Sequence, residues 1–339
     1  MKAVVLVGGE GTRLRPLTET TPKPLLPIVD RPGLDHVLDH LQRHGVHEVV
    51  LSSPYLEPTF HPFIEARGGD PAITWITETE PLGTGGAIVH ALGALGDEPF
   101  FALNGDILTD LDLTAMLGFH RDLGASATIA LHHVDDARAF GLVETDPEHR
   151  VVAFREKPTE PVAGDVNAGT YLLDPAVLRS WTPDHAISIE REIFPSVIAA
   201  GYPVAGFLAD AYWIDLGTPE KYLRAHADLL QGRVAGVRYE APWVHADAWV
   251  DPAAHLGATV AVGAGARVGA GAEIADSVLH AGAVIGPGAR VSGTIVGPGA
   301  QVGGQATLQG CVMGAGSRVP DGAVLTGEKV PVRGVAGAS

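Results

Sequence analysis

Cysteine is almost absent. Cys311 stands alone in 339 residues, which excludes an internal disulfide framework and fits a reducing cytosol. Positive charge is scarce too: 23 Lys and Arg against 40 Asp and Glu leave a formal net charge of −17. Such a surface repels nucleic acid and anionic membranes, so neither is expected as a partner. No apolar stretch approaches the ~20 residues of a membrane span. The opening MKAVVLVGG has too short an apolar run for a signal peptide and enters a glycine turn directly. The expectation is a soluble, cytoplasmic protein, long enough for one large domain and a smaller one.

What the sequence does have is a dense stretch from Leu6 to Pro27, LVGGEGTRLRPLTETTPKPLLP. It follows an apolar strand, Lys2 to Val7. Gly8, Gly9 and Gly11 strip side chains from the turn, so that backbone N–H groups can approach an anion closely. Arg13 and Lys23 supply fixed cations, with Arg15 nearby. Pro16, Pro22, Pro24 and Pro27 stiffen the segment and predict a shaped loop rather than a helix. A glycine turn with fixed cations suits a triphosphate. A Walker loop needs Lys-Ser/Thr directly after its last glycine, where this chain has Thr12-Arg13. A dinucleotide fingerprint needs a small residue where Leu14 stands. A ligand-free turn accounts for the glycines but leaves the cations and prolines unexplained.

The stretch resembles the signature of the sugar-1-phosphate nucleotidylyltransferases, GGxGTRLxPLTxxxPKPL. The resemblance implies a Rossmann-like, mostly parallel α/β domain that joins an NTP to a sugar 1-phosphate with Mg²⁺. It also implies nucleotide contacts from Leu6, Gly8, Gly9, Gly11 and Thr12.

Strand and helix patterns alternate through the first ~230 residues, as a mostly parallel α/β sheet requires. Leu34, Val37, Leu38 and Leu41 fall at helical spacing, with Gly45 placed as a C-cap. The segment ETEPLGTGGA, Glu78 to Ala87, opens a helix whose glycines are expected to leave bare N–H groups for a ligand. It resembles the family's base- and sugar-reading loop, which implies roles for Glu78, Glu80 and Gly83. Phe100 to Leu103 is an apolar strand ending at Asn104-Gly105-Asp106, and strand ends are where open α/β sheets place ligand chemistry. By resemblance, Asp106 in LNGD is a metal ligand. Tyr212 to Gly217 is a second strand ending in an acid, Asp215, where the family places its second metal ligand. Arg155-Glu156-Lys157-Pro158 and Asn167 to Tyr171 are weak signals alone and resemble the family's sugar-phosphate segment. That implies roles for Gly141, Glu156, Lys157, Asn167 and Gly169. His132 and His133 have no carboxylate or cysteine at ligand spacing and read as structural or surface residues. Thr218 caps a helix with Pro219 in its first turn.

After Gly232 the patterning changes to one aliphatic residue in six: Val250, Leu256, Val262, Val268 and Ile274. Leu279, Ile285, Val291, Val296, Val302, Leu308, Met313, Val319 and Leu325 then continue in steps of 6, 6 and 5, a 17-residue repeat that also aligns Gly282, Gly299 and Gly316. That rhythm predicts a left-handed parallel β-helix. The expected domains are 1–232 (catalytic), 233–249 (linker), 250–330 (β-helix) and 331–339 (tail).

The expected reaction is NTP plus sugar 1-phosphate giving NDP-sugar and pyrophosphate. Arg13 would stabilise the leaving pyrophosphate, and Lys23 and Lys157 would neutralise the reacting phosphates. Asp106 and Asp215 would hold Mg²⁺, while Glu156, Asn167 and the backbone near Gly141 and Gly169 would bind sugar hydroxyls. Guanine offers two adjacent donors that a carboxylate accepts together, so Glu78 and Glu80 point to GTP, with Glu78 as the better-fixed reader. Resemblance to the GDP-mannose pyrophosphorylases points to mannose 1-phosphate. A thymidylyltransferase, another hexose or cyclitol phosphate, an inactive nucleotide-sugar-binding relative and a β-helix acyltransferase stay open. For the last, His280 shows no obvious acidic partner. A homo-oligomer through the β-helix is expected.

Overall fold

A computed structural model describes residues 1–54 and 57–336. The chain divides into two units: Met1–Gly9 with His36–Trp213, and Glu10–Asp35 with Ile214–Ser339. The signature loop therefore groups with the C-terminal half, not with the strand it follows.

The first unit is built on a nine-stranded sheet. Lys2–Leu6 lies between Phe100–Asn104 and Glu48–Ser53, and Ala72–Thr77 continues beyond it, all parallel. These central strands are apolar on both faces because helices cover them, notably Gly83–Leu95, whose Ile88, Ala91 and Leu95 join the main core. Gly164–Leu173 runs antiparallel to Phe100–Asn104 and also pairs with Ala127–Val134 and Gly141–Thr145. The helix Glu57–Arg67 is not announced by the sequence pattern, since Pro62 lies inside it. The helical segment after Ser188 starts as a π turn, Ile189–Ile193, before Phe194–Ala199.

The second unit carries the solenoid. Three parallel ladders hold six, five and five short strands. Val262, Leu279, Val296 and Met313 on one face, and their counterparts on the other two, point inward and form a continuous core. The corners use left-handed backbone: Gly265, Gly282, Gly299 and Gly316 have φ between 63° and 70°. In two other corner columns Asp276 and Gln305 accept the same conformation at φ 48° and 59°. The first ladder begins at Trp243–Val244, paired with Ala261–Val262, so the solenoid starts inside the stretch expected to be a linker. Val244 in fact lies six residues before Val250, and the period extends back to it. The outward residues of this ladder, Ala261, Val278, Ile295 and Val312, are buried, whereas Arg267, Gln301 and Arg318 on the second face and Glu273 and Arg290 on the third are exposed.

His280, outward on the buried face, meets the helix Pro219–Leu230. Its Nε2 lies 3.1 Å from the Tyr222 hydroxyl, which also donates to the Pro27 carbonyl. A carbonyl only accepts, so the tyrosine proton goes to Pro27 and His280 Nε2–H donates to Tyr222. Its Nδ1 has no hydrogen-bond partner among the described residues. Burial accordingly pushes the His280 pKa from 6.5 down to about 4. Between those values the unfolded chain binds a proton that the folded chain does not, so this contribution to stability is lost as pH falls. The slope of unfolding free energy against pH in this window is expected to be ~1.4 kcal/mol per unit smaller in His280→Gln. Denaturant titrations at a series of pH values measure it, and identical slopes would contradict the assignment.

Candidate active site

In the first unit, the carboxyl ends of Lys2–Leu6 and Phe100–Asn104 lie in register, with Leu6 beside Asn104 and the Gly105 N–H donating to the Leu6 carbonyl at 2.9 Å. Asp106 follows at once, half-buried at the end of its strand. Gly8 packs on Pro54, so closely that a Cβ would lie 2.6 Å from the proline ring, and Gly9 is open.

Glu78 ends the neighbouring edge and is buried. Its Oε1 accepts from Ser52 Oγ at 2.9 Å and its Oε2 from the Leu82 N–H at 3.0 Å. Glu80 is exposed. The residue expected to read the base is thus a clip that shapes the Glu78–Leu82 turn, and the acid open to a ligand is Glu80.

The glycines that follow also serve packing. The Gly85 and Gly86 N–H groups donate to the Ile187 carbonyl at 2.8 and 3.2 Å, and are not left bare as the sequence led us to expect. A Cβ on Gly85 would lie 2.7 Å from Ile193, and one on Gly83 2.7 Å from the Ile187 carbonyl. Their closeness to Ile187–Ile193 is invisible in the sequence because about a hundred residues intervene.

Across that contact runs a polar network the sequence reading missed. Glu190 Oε2 accepts from Thr84 Oγ1 at 3.0 Å and Ser188 Oγ at 2.8 Å, and Oε1 accepts from the Tyr171 hydroxyl at 3.1 Å. Tyr171 in turn accepts from Asn167 Nδ2 at 2.8 Å, while Asn167 Oδ1 receives the Gly169 N–H at 2.9 Å. Asn167 is therefore oriented through Tyr171 and Glu190. Gly141 and Glu156 are paired across their strands, and the Lys157 N–H bonds the Phe140 carbonyl at 3.0 Å. Lys157 adopts φ 47°, an uncommon backbone for a lysine. His133, exposed, pairs with Asp165 at 2.7 Å, and the His132 ring packs at a tilt against Trp213.

In the second unit, Gly11 adopts φ 61° and starts the short turn Thr12–Leu14, which carries Arg13. Lys23 is buried at 7 % exposure. Asp215 Oδ1 accepts the Gly217 N–H at 3.1 Å, and Lys221 bridges its other oxygen. A Cβ on Gly217 would lie 2.5 Å from Asp215 Oδ1 and 2.7 Å from Arg13 Nη2. Only a glycine lets the arginine and the carboxylate close over this backbone. Lys221, three residues past the cap Thr218, is a further charge at this site that the sequence reading did not single out.

In the second unit, Arg13 and Lys23 on a glycine- and proline-shaped loop, with the strand-end carboxylate of Asp215, suit an enzyme that handles nucleotide phosphates. The chain belongs to the Nucleotidyl transferase family, which matches residues 2–232, and residues 239–335 match the GMPPB C-terminal domain. Members act on a nucleoside triphosphate and a sugar phosphate and work with a divalent metal. The chain is 42% identical over 265 residues to a mannose-1-phosphate guanylyltransferase of Mycobacterium tuberculosis, covering 75% of this chain and 72% of that one. A probable mannose-1-phosphate guanylyltransferase 2 of Arabidopsis thaliana is 39% identical, with coverage of 76% and 73%. The crystal structure of HddC from Yersinia pseudotuberculosis complexed with GMP-PN superposes with a TM-score of 0.58 at 30% identity, covering 66% of this chain and 97% of that one. No helix among the described residues is long and apolar enough to cross a membrane.

Glu78→Gln places an amide NH₂ opposite the Ser52 or Leu82 donor. It is expected to cost ~1–3 kcal/mol of stability, measured by urea unfolding. An unchanged midpoint would show that Glu78 does not hold this turn.

Proposed function

We propose that this enzyme transfers a guanylyl group from GTP to mannose 1-phosphate, releasing pyrophosphate and leaving GDP-mannose. The observation that carries the reading is the shared name of its relatives: proteins at 38–42% identity from a bacterium, plants and fungi are mannose-1-phosphate guanylyltransferases. The neighbour complexed with GMP-PN supports the same base.

The attacking group is a phosphate oxygen, already anionic near neutral pH, so no side chain has to remove a proton. The barrier is repulsion between phosphates and charge on the departing pyrophosphate. Arg13 takes the leaving pyrophosphate, its guanidinium packed over the Gly217 backbone. Lys23 and Lys157 neutralise the reacting phosphates. Glu156, Asn167 and the backbone at Gly141 and Gly169 bind sugar hydroxyls, Asn167 held by Tyr171 and Glu190. Leu6, Gly8, Gly9, Gly11, Thr12 and Gly83 line the nucleotide, and Glu80 on the Glu78-clipped turn reads guanine.

The divalent metal is assigned as Mg²⁺, bound by Asp106 and Asp215. Both are hard oxygen donors of the kind Mg²⁺ takes, and Asp215 also accepts from the Gly217 N–H and Lys221. Asp106 and Asp215 would hold the ion, which would supply charge neutralisation at the reacting phosphates.

Pyrophosphate release from GTP, dTTP, UTP and ATP, each with mannose 1-phosphate or glucose 1-phosphate, tests the reading. GTP with mannose 1-phosphate should give the highest kcat/KM, and preference for dTTP would overturn it. Asp106→Asn should lower turnover by orders of magnitude while leaving the thermal midpoint in place. Near-wild-type turnover would remove Asp106 from the metal site.

We also propose a homo-oligomer through residues 250–330, beside which Trp249 is 53% exposed and within which Val324 is 73% exposed. Light scattering at micromolar concentration should show more than one chain, and a monodisperse monomer would refute the assembly.

A further inference from the structure

We propose that the β-helix positions the phosphate loop: Lys329 on its last coil and the Tyr222–His280 pair hold the backbone that carries Arg13 and Lys23. The inference rests on the reading of Arg13 and Lys23 as phosphate ligands. It gives the solenoid a part in catalysis separate from assembly.

The loop has little order of its own. Most of its internal backbone bonds close single turns, such as Leu14 N–H to Gly11 O and Leu25 N–H to Pro22 O, both at 2.9 Å, and a two-residue pairing joins Pro27–Ile28 to Arg31–Pro32. Thr18 Oγ1 adds one bond to the Gly11 carbonyl at 2.8 Å. Further anchors come from residues about two to three hundred positions away. Lys329 Nζ donates to the Arg13 carbonyl at 3.0 Å. Tyr222, backed by His280, donates to the Pro27 carbonyl. His226 Nδ1 accepts the Val29 N–H at 3.1 Å, fixing a residue held at φ 61°. The Tyr239 hydroxyl donates to Asp30 at 2.5 Å.

Two of these anchors sit on one face of the solenoid. His280 and Lys329 both point outward from the first ladder, three coils apart. One reaches the loop through Tyr222 near its end, the other directly at Arg13. Tyr222 and His280 are 1% and 2% exposed, so this bond is shielded from water, which would otherwise compete for it. Lys329 also stands near Glu220, whose carboxyl is held below its usual range mainly by Thr218, with Lys329 contributing. An arginine stabilises a departing pyrophosphate only if its backbone is already in place when the charge develops. Lys329 is therefore a positioning residue: it bonds the peptide of Arg13 rather than the substrate.

The test uses the full-length protein and two readouts. Lys329→Ala, a change at an exposed position, is expected to lower kcat about tenfold. The KM for sugar 1-phosphate should stay within about twofold and the melting temperature should not move, because binding and folding do not depend on this bond. Lys329→Arg should restore most of the rate. Without substrate, hydrogen exchange in peptides spanning residues 11–27 should quicken in Lys329→Ala and Tyr222→Phe. It should not change in Arg290→Ala, on an exposed face of the same coils. Unaltered loop exchange in both variants, or quickened exchange with unaltered kcat, overturns the proposal. Absence of nucleotidyl transfer in the wild type would instead sink the functional reading, and the exchange measurements would still decide whether the coils hold the loop.

Discussion

A loop built on prolines orders itself only locally. Pro16, Pro22, Pro24 and Pro27 each remove a backbone donor, so only single 3₁₀ turns and the two-residue pairing of Pro27–Ile28 with Arg31–Pro32 form across them. What remains is a series of carbonyls, and these need donors from elsewhere. The hydroxyl of Tyr222 meets the need at Pro27 and the ammonium of Lys329 meets it at Arg13. This one deficit explains why residues 10–35 group with residues 214–339 and not with the strand that precedes them. The stiffness that keeps the cations from wandering is the same property that makes the loop depend on distant partners.

Much of this was legible in the sequence, for identifiable reasons. The 17-residue repeat is a local pattern that each coil writes again, so its register survives translation into structure almost unchanged. The signature loop is legible because its chemistry lies within about twenty consecutive residues. Legibility fails where function depends on neighbours far along the chain. Nothing near Gly85 hints that its N–H is taken by Ile187, and nothing near Asn167 announces that Glu190 orients it through Tyr171. The start of the solenoid was missed for a different reason. Trp243 and Val244 keep the period, but Gly232 to Pro242 looks like linker.

Glu78 shows how an acid at a strand end can serve the turn it stands on. An acid at a strand end beside a glycine loop has two uses, to meet a ligand or to tie down the turn. Burial decides between them. With one oxygen on Ser52 and the other on the Leu82 amide, Glu78 is an internal brace, and exposed Glu80 is left facing solvent. Gly83, Gly85 and Gly86 follow the same logic: the space their missing side chains leave is taken by protein.

The left-handed corners of the solenoid make it a ruler as well as a scaffold. The first coil takes 18 residues and the later ones 17, so a corner can absorb one residue, but the strands still stack in whole turns. Each turn advances by one strand spacing, about 4.8 Å. The coil count thus sets where Lys329 arrives, and one extra turn would carry its ammonium a full rung away from the Arg13 carbonyl. The length of the solenoid is in this way tied to the place of one arginine.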